Sequence, residues 1–160
     1  MSRVLVCIPV PAEGTAGHLA GPVQGFSANA SLREVLGIAE PEPGSSAKAA
    51  DELREEAEYG ALVIASVWGL TQFGVRLVVT AEVDSAQISA GEEPEHGGVL
   101  VSDVGSQQVI AVFGDDDETA AAQAAGQVRG HSIDQAWANA AVADVLTHEL
   151  LWFTPSERGL

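Results

Sequence analysis

Positive charge is scarce in this chain. Seven lysines and arginines face 23 aspartates and glutamates, a formal net charge of −16 over 160 residues. Such a surface repels phosphate backbones and anionic lipid, and no basic patch offsets it, which argues against nucleic-acid and membrane-surface partners. Cysteine is rarer still. The one thiol, Cys7, cannot form an internal disulfide, which fits a reducing compartment, and its place in an apolar run reads as a small buried hydrophobe. No stretch is long enough to span a bilayer. The opening run is too short, and too broken by Pro9 and Pro11, to read as a signal peptide. A cytoplasmic protein is therefore the expectation, and the Asn29-Ala30-Ser31 sequon is without use there.

Hydrophobic residues are plentiful, at 46%, and a chain of this length reads as a single domain, residues 1–160. Its organising stretch runs from Ser45 to Val83. Leu53, Ala57, Gly60 or Ala61, Ile64, Val67 or Trp68 and Thr71 recur at helical spacing, predicting a helix over Lys48–Phe73 capped by Ser45 or Ser46 and stopped at Gly74. Its first half is crowded with acids and its second half, Ala61 to Leu70, is apolar almost all round. Such a helix starts wet and ends dry. Val75 to Val83 then alternates as a strand, with Leu77, Val79, Ala81 and Val83 on one face, Arg76, Thr80 and Glu82 on the other, and Val78 as the exception.

Elsewhere Val4–Ile8 reads as a buried first strand, Ala12–Gly25 as a connector, and Ser31 as the cap of a short helix ending at Gly37. The glycines at 14, 17 and 21 match no phosphate-binding fingerprint, and no lysine is near them. Asp84 to Gly98, with Glu92, Glu93, Pro94, Glu95 and His96, could hold a cation, but its composition reads first as a solvated connection. Val99–Val101 suggests a short edge strand and Val109–Phe113 an interior one. The acidic run Asp115 to Glu118 lacks the alternation and distal glutamate of a calcium loop, so Asp115 and Glu118 read as a capping box for an alanine-rich helix, Thr119 to Arg129. A further helix, Gln135 to about Val145, would bury Trp137. By periodicity alone Leu150–Phe153 is either a strand or that helix's last turns, and its aromatics and the Thr154-Pro155 stop favour a last strand. The order is βαββαβ, which suggests an α+β fold, a ferredoxin-like two-layer sandwich with extra short helices.

Several segments together resemble a small family of uncharacterised actinobacterial proteins, known only as a domain of unknown function. They are Ile8-Pro9, Leu32-Arg33-Glu34, the run Glu56-Ala57-Glu58-Tyr59-Gly60-Ala61-Leu62, Ala65-Ser66, the strand Arg76 to Val83, Val112-Phe113-Gly114-Asp115, and His148-Glu149-Leu150-Leu151-Trp152-Phe153. Gly60 and Phe153 stand where alanine and tyrosine are expected. The resemblance implies a bacterial, cytosolic, full-length single domain and brings no assigned activity.

The residues that carry the resemblance also make the best chemical constellation. His148 as a base oriented by a carboxylate, with Glu58, Tyr59 and Glu149 beside it, forms the candidate catalytic set, and Ser31, Arg33 and Trp152 are candidate ligand contacts. Against this stand plain structural roles: His148 donating to a backbone carbonyl, Glu58 paired with Arg54 one turn earlier, and Trp152 in the core. No nucleophile-elbow serine, paired cysteines or two-histidine helix is present, so neither a metal nor a cofactor is expected. Two functions remain open. The first is a non-enzymatic, self-associating interaction or regulatory module, a homodimer. The second is a small-molecule binder or enzyme using the Glu/Tyr/His set.

Overall fold

The long helix forms where its periodicity places it, and everything else is arranged around it. The computed structural model describes residues 2–13, 15–158 and 160, so Gly14 of the glycine-rich connector lies outside the described residues. In chain order the elements are β1 (Arg3–Pro9), α1 (Thr15–His18), β2 (Val23–Ser27), α2 (Ala30–Leu36), α3 (Ala47–Phe73), β3 (Leu77–Asp84), β4 (Ile88–Ala90), β5 (Gly98–Val101), β6 (Val109–Gly114), α4 (Thr119–Val128), α5 (Ile133–Trp137), α6 (Ala140–Val145) and β7 (Leu151–Phe153), with 3-10 turns between some of them. No described helix is long and apolar enough to cross a membrane. The Ser46 side chain caps α3 by accepting from the Ala49 N–H at 3.1 Å, and Gly74 ends it in the left-handed conformation at φ 75°.

All seven strands join one antiparallel sheet in the order β4-β5-β2-β1-β3-β6-β7, so the first and last strands of the chain share it. The fold is α+β, but it is not ferredoxin-like. That arrangement rests on a split βαβ unit, whose two strands have another between them. Here β1 and β3, which flank α3, are bonded directly to one another over seven residue pairs from Arg3↔Asp84 to Pro9↔Val78. Two strands were also hidden in expected loops. β2 lies inside the sheet between β1 and β5, and β4 makes the edge that Val99–Val101 was expected to make. Val23 and Phe26, split by Gly25, give β2 no alternation to read.

The sheet is strongly curled, and chain connectivity requires it. β3 and β4 are joined by only Ser85–Gln87 yet are separated in the sheet by β1, β2 and β5. A flat sheet would set them ~19 Å apart, whereas four Cα steps reach at most ~15 Å. The sheet must therefore roll until its β4 edge comes under the end of β3. Gln87 ties the seam: its amide donates to the Ser102 carbonyl beyond β5 at 3.0 Å, and Gln108, at the start of β6, donates back to Gln87 at 2.8 Å. Rolling lets the concave face fill itself, with Val6, Ile8, Val79, Ala81, Val83, Val101 and Val112 buried together with no long helix over them.

The convex face carries α3. Phe26, Cys7 and Val78 pack against Ala57, Ala61, Ile64, Ala65 and Trp68 of the helix, which explains Val78: both faces of β3 are covered. On its far side α3 packs Val67 and Leu70 against Ala121, Ala124, Val128, Val142 and Val145 of α4 and α6. The single helix expected from Gln135 is in fact two, because Asn139 caps α6 by accepting from Ala141 and Val142. Trp137, expected inside, is 42% exposed. Asn29, not Ser31, caps α2.

The tightest contact between α3 and the chain that leaves it is at Gly69, where an added Cβ would meet the Val75 carbonyl oxygen at 2.7 Å. A backbone oxygen cannot swing away, so the clash outweighs the ~1 kcal/mol helix preference of alanine. Gly69→Ala is expected to destabilise the protein by ~1–3 kcal/mol in denaturant unfolding; a variant as stable as the parent would show that the helix-to-strand turn has slack.

Candidate functional site

Beyond the seam with α3, the convex face opens into a cavity of ≈ 500 Å³. Its floor is Leu5 and Cys7 of β1, Thr80 of β3, and Ala111 and Phe113 of β6. One wall is the wet-to-dry junction of α3, from Glu58 and Tyr59 to Leu62, Val63 and Ser66. The other is the segment from Leu146 through His148, Glu149 and Leu150 to Trp152 of β7. Five of the seven expected site residues thus line one pocket: Glu58, Tyr59, His148, Glu149 and Trp152. Ser31 and Arg33 do not. Ser31 is exposed on α2, and Arg33 bonds Glu40 at 3.1 Å.

Backbone irregularity shapes the mouth. Thr80 pairs with Ala111 but Ala81 pairs with Val109, so Ile110 is an extra, unpaired residue, a β-bulge. The bulge breaks the alternation of β6. Val109 and Val112 pack toward the concave core, while Ile110, Ala111 and Phe113 all line the pocket. Ile110 is left half exposed at the rim with Tyr59, which is 61% exposed, and Trp152, which is 59% exposed.

The polar groups of the pocket fall into two sets. In the first, hydrogen-bonding capacity is already used. Ser66 donates to the Val63 carbonyl at 2.6 Å and Thr80 to the Ala111 carbonyl at 3.2 Å. Arg76, fully buried, clasps Asp115 through Nε at 2.9 Å and through Nη2, and Nη2 also donates to the His148 carbonyl at 3.0 Å. The register Leu77↔Gly114 places these two charges opposite each other at the end of the β3–β6 ladder. Asp115 is therefore an ion-pair partner, not a helix cap; the N-cap position of α4 is Glu118, which makes no side-chain cap bond, and Asp117 before it accepts from the Thr119 N–H at 2.9 Å.

The second set is open. Glu58, Tyr59, His148 and Glu149 have no side-chain hydrogen bond to one another among the described residues, and Arg54 pairs with Asp51, not Glu58. Burial holds the Glu58 carboxyl above the usual carboxylate range, with Arg54 opposing and Glu55 adding to the rise. Cys7 on the floor is an inert thiol, its pKa pushed to about 12 by burial and by Glu58. The expected base-and-orienter geometry is not formed. What is formed is an apolar cavity, aromatic at its rim, with carboxylates and, among the described residues, no uncommitted lysine or arginine in its lining.

Sequence reasoning missed Arg76, Asp115 and Ile110. An arginine directly before one apolar strand and an aspartate directly after another was a usable signal, because opposite charges at strand ends match when the strands pair. The bulge left no signal in a run of five apolar residues.

Fold and site define an acidic α+β domain with a preformed, mostly apolar cavity between a curled antiparallel sheet and its central helix. The chain belongs to a family of unknown function, DUF6912, whose model matches residues 12–159. No curated protein and no solved structure matches it.

Because Arg76 and Asp115 are both buried, removing one strands the other's charge. Arg76→Ala is expected to cost ~3–5 kcal/mol of stability, and the double replacement Arg76→Met with Asp115→Leu much less. Equal losses in the single and double variants, measured by denaturant unfolding, would mean that the pair does not hold this end of the sheet.

Proposed function

We propose that this protein binds a small apolar molecule carrying a cationic or hydrogen-bond-donating group, and that the pocket between α3, β6 and β7 is its site. The observation that carries this is the pocket's makeup. Its volume suits a small ligand, its lining is mainly apolar, and its free polar groups include two carboxylates, Glu58 and Glu149, while its one arginine is spent on Asp115. Trp152 and Tyr59 at the rim offer faces to an ammonium or a flat ring. Binding is favoured over turnover because the Cys7 thiol is inert and, among the described residues of the pocket, the His148 side chain has no carboxylate partner. The wider setting in this reading is a single-domain protein of an actinobacterial cytoplasm, supported by the family motifs and the lone buried cysteine.

A series of apolar primary amines, read by Trp fluorescence against neutral and carboxylate isosteres, tests the ligand class. The amines are expected to bind best, and Glu58→Gln to erase most of their advantage. His148→Ala measures whether that side chain takes part. If amine, neutral and acid analogues all fail to bind, or bind alike, the ligand class is wrong.

Self-association is a second reading, supported by β7. It is the last strand in the sheet order, with Leu151 and Trp152 exposed on it, an edge open to pairing with a second copy. Like charge opposes such a contact, so the dimer should strengthen with salt and be lost in Trp152→Asp. Sedimentation that shows only monomer at high protein and high salt would remove it.

A further inference from the structure

Away from the pocket, the connection between β4 and β5 does not behave as a solvated loop. His96 is only 5% exposed. It ends the 3-10 turn Pro94–His96, entered from Glu93 at φ 53° and left through Gly97 at φ 84°. The turn is fastened on both sides. Gly97 accepts from the Ser27 N–H at 3.0 Å, and the Gln24 side chain both donates to and accepts from the Glu92 backbone, at 2.8 and 2.9 Å. A Cβ at Gly97 would lie 2.5 Å from the Ser27 carbonyl oxygen, so the turn sits against the sheet with no room to shift.

The imidazole is held at one nitrogen and stranded at the other. Nε2 lies 3.1 Å from Asp134 Oδ1 on α5, which assigns the proton to Nε2. Nδ1 is buried and makes no hydrogen bond, although Glu93 Oε1 stands 3.1 Å away and Glu95 Oε1 3.4 Å away. A lone pair facing two carboxylates is repulsive unless positive charge lies between them. A second ring proton would also supply charge, but it would leave the Nδ1–H without a well-directed hydrogen bond, because neither oxygen meets the required angle. A divalent ion places its donors differently. At bond lengths of ~2.0–2.2 Å and octahedral or tetrahedral angles, neighbouring donor atoms stand ~3.0–3.5 Å apart and off each other's axes. Both observed nitrogen-to-oxygen separations fall in that range, and all three donor atoms lie within 4.8 Å of one another.

We propose that Glu93, Glu95 and His96 form a binding site for zinc or a similar first-row divalent ion, with Asp134 orienting the imidazole from behind. One imidazole and two carboxylates suit such ions better than magnesium or calcium, which take oxygen donors alone. A carboxylate on the far ring nitrogen is the usual support for a metal-bound histidine. Glu95 is exposed, so its carboxylate can swing the remaining distance and the outer coordination positions stay open to water. The ion ties the β4–β5 connection to α5, and so the sheet to the outer helices.

The test uses full-length protein stripped with a chelator and titrated with Zn²⁺, Co²⁺ or Mg²⁺ alone. One equivalent of Zn²⁺ is expected to bind in the micromolar range or tighter and to raise the melting temperature. Co²⁺ should give visible ligand-field bands, and Mg²⁺ should do neither. Glu95→Gln, at an exposed position, should keep the fold and weaken Zn²⁺ by at least about tenfold, and Asp134→Asn should weaken it by about 10–100-fold. Failure of the parent protein to bind Zn²⁺ and Co²⁺ below millimolar concentration overturns the proposal. So does Zn²⁺ binding that neither Glu95→Gln nor His96→Gln changes, or a His96 ring doubly protonated by NMR at saturating Zn²⁺.

Discussion

Three residues between β3 and β4 constrain the whole molecule. They are too few to cross a flat sheet, so the sheet rolls, and rolling divides its two faces. The inner face becomes a self-filled core of valine and isoleucine that needs no helix over it. The outer face, convex, can be covered by one straight helix only along part of its width. Where α3 and the sheet diverge toward β6 and β7, a cavity remains. The pocket thus follows from sheet curvature and not from any device built to hold it open.

What keeps that edge defined is the Arg76–Asp115 clasp. A buried pair contributes little net stability compared with apolar replacements, but its geometry is demanding. It fixes the ends of β3 and β6 against each other, and through the His148 carbonyl it fixes the start of the segment that walls the pocket. The carbonyl of His148 is thus held in place by the core while its side chain stays exposed.

Much of this was legible beforehand, and the misses have a common physical cause. The α3 helix, its caps at Ser46 and Gly74 and the interior strand β6 announce themselves through local signals, periodicity and cap chemistry, whereas β7 is told from a helix end only by its aromatics and the proline after it. The nearness of Tyr59, Glu58 and His148 was anticipated from motif residues, not from spacing. The failures are all non-local. β2 and β4 are strands because neighbours pair with them, not because Val23–Ser27 or Ile88–Ala90 alternate. His96 reads as a surface residue until β2 and α2 are seen to close over its turn. Ferredoxin-like order was inferred from the sequence of elements alone, and that sequence says nothing about which strands touch.

The extra residue in β6 has a consequence for relatives of this chain. Strand side chains alternate, so the face on which a residue lands depends on whether an even or odd number of positions separates it from its last hydrogen-bonded partner. Between Val109 and Ala111 that parity is broken once, and Ile110 reaches the mouth of the cavity for this reason alone. A family member shorter by one residue there would keep the same sheet and lose the same rim. Gaps in this segment of aligned relatives therefore say more about what enters the cavity than substitutions do.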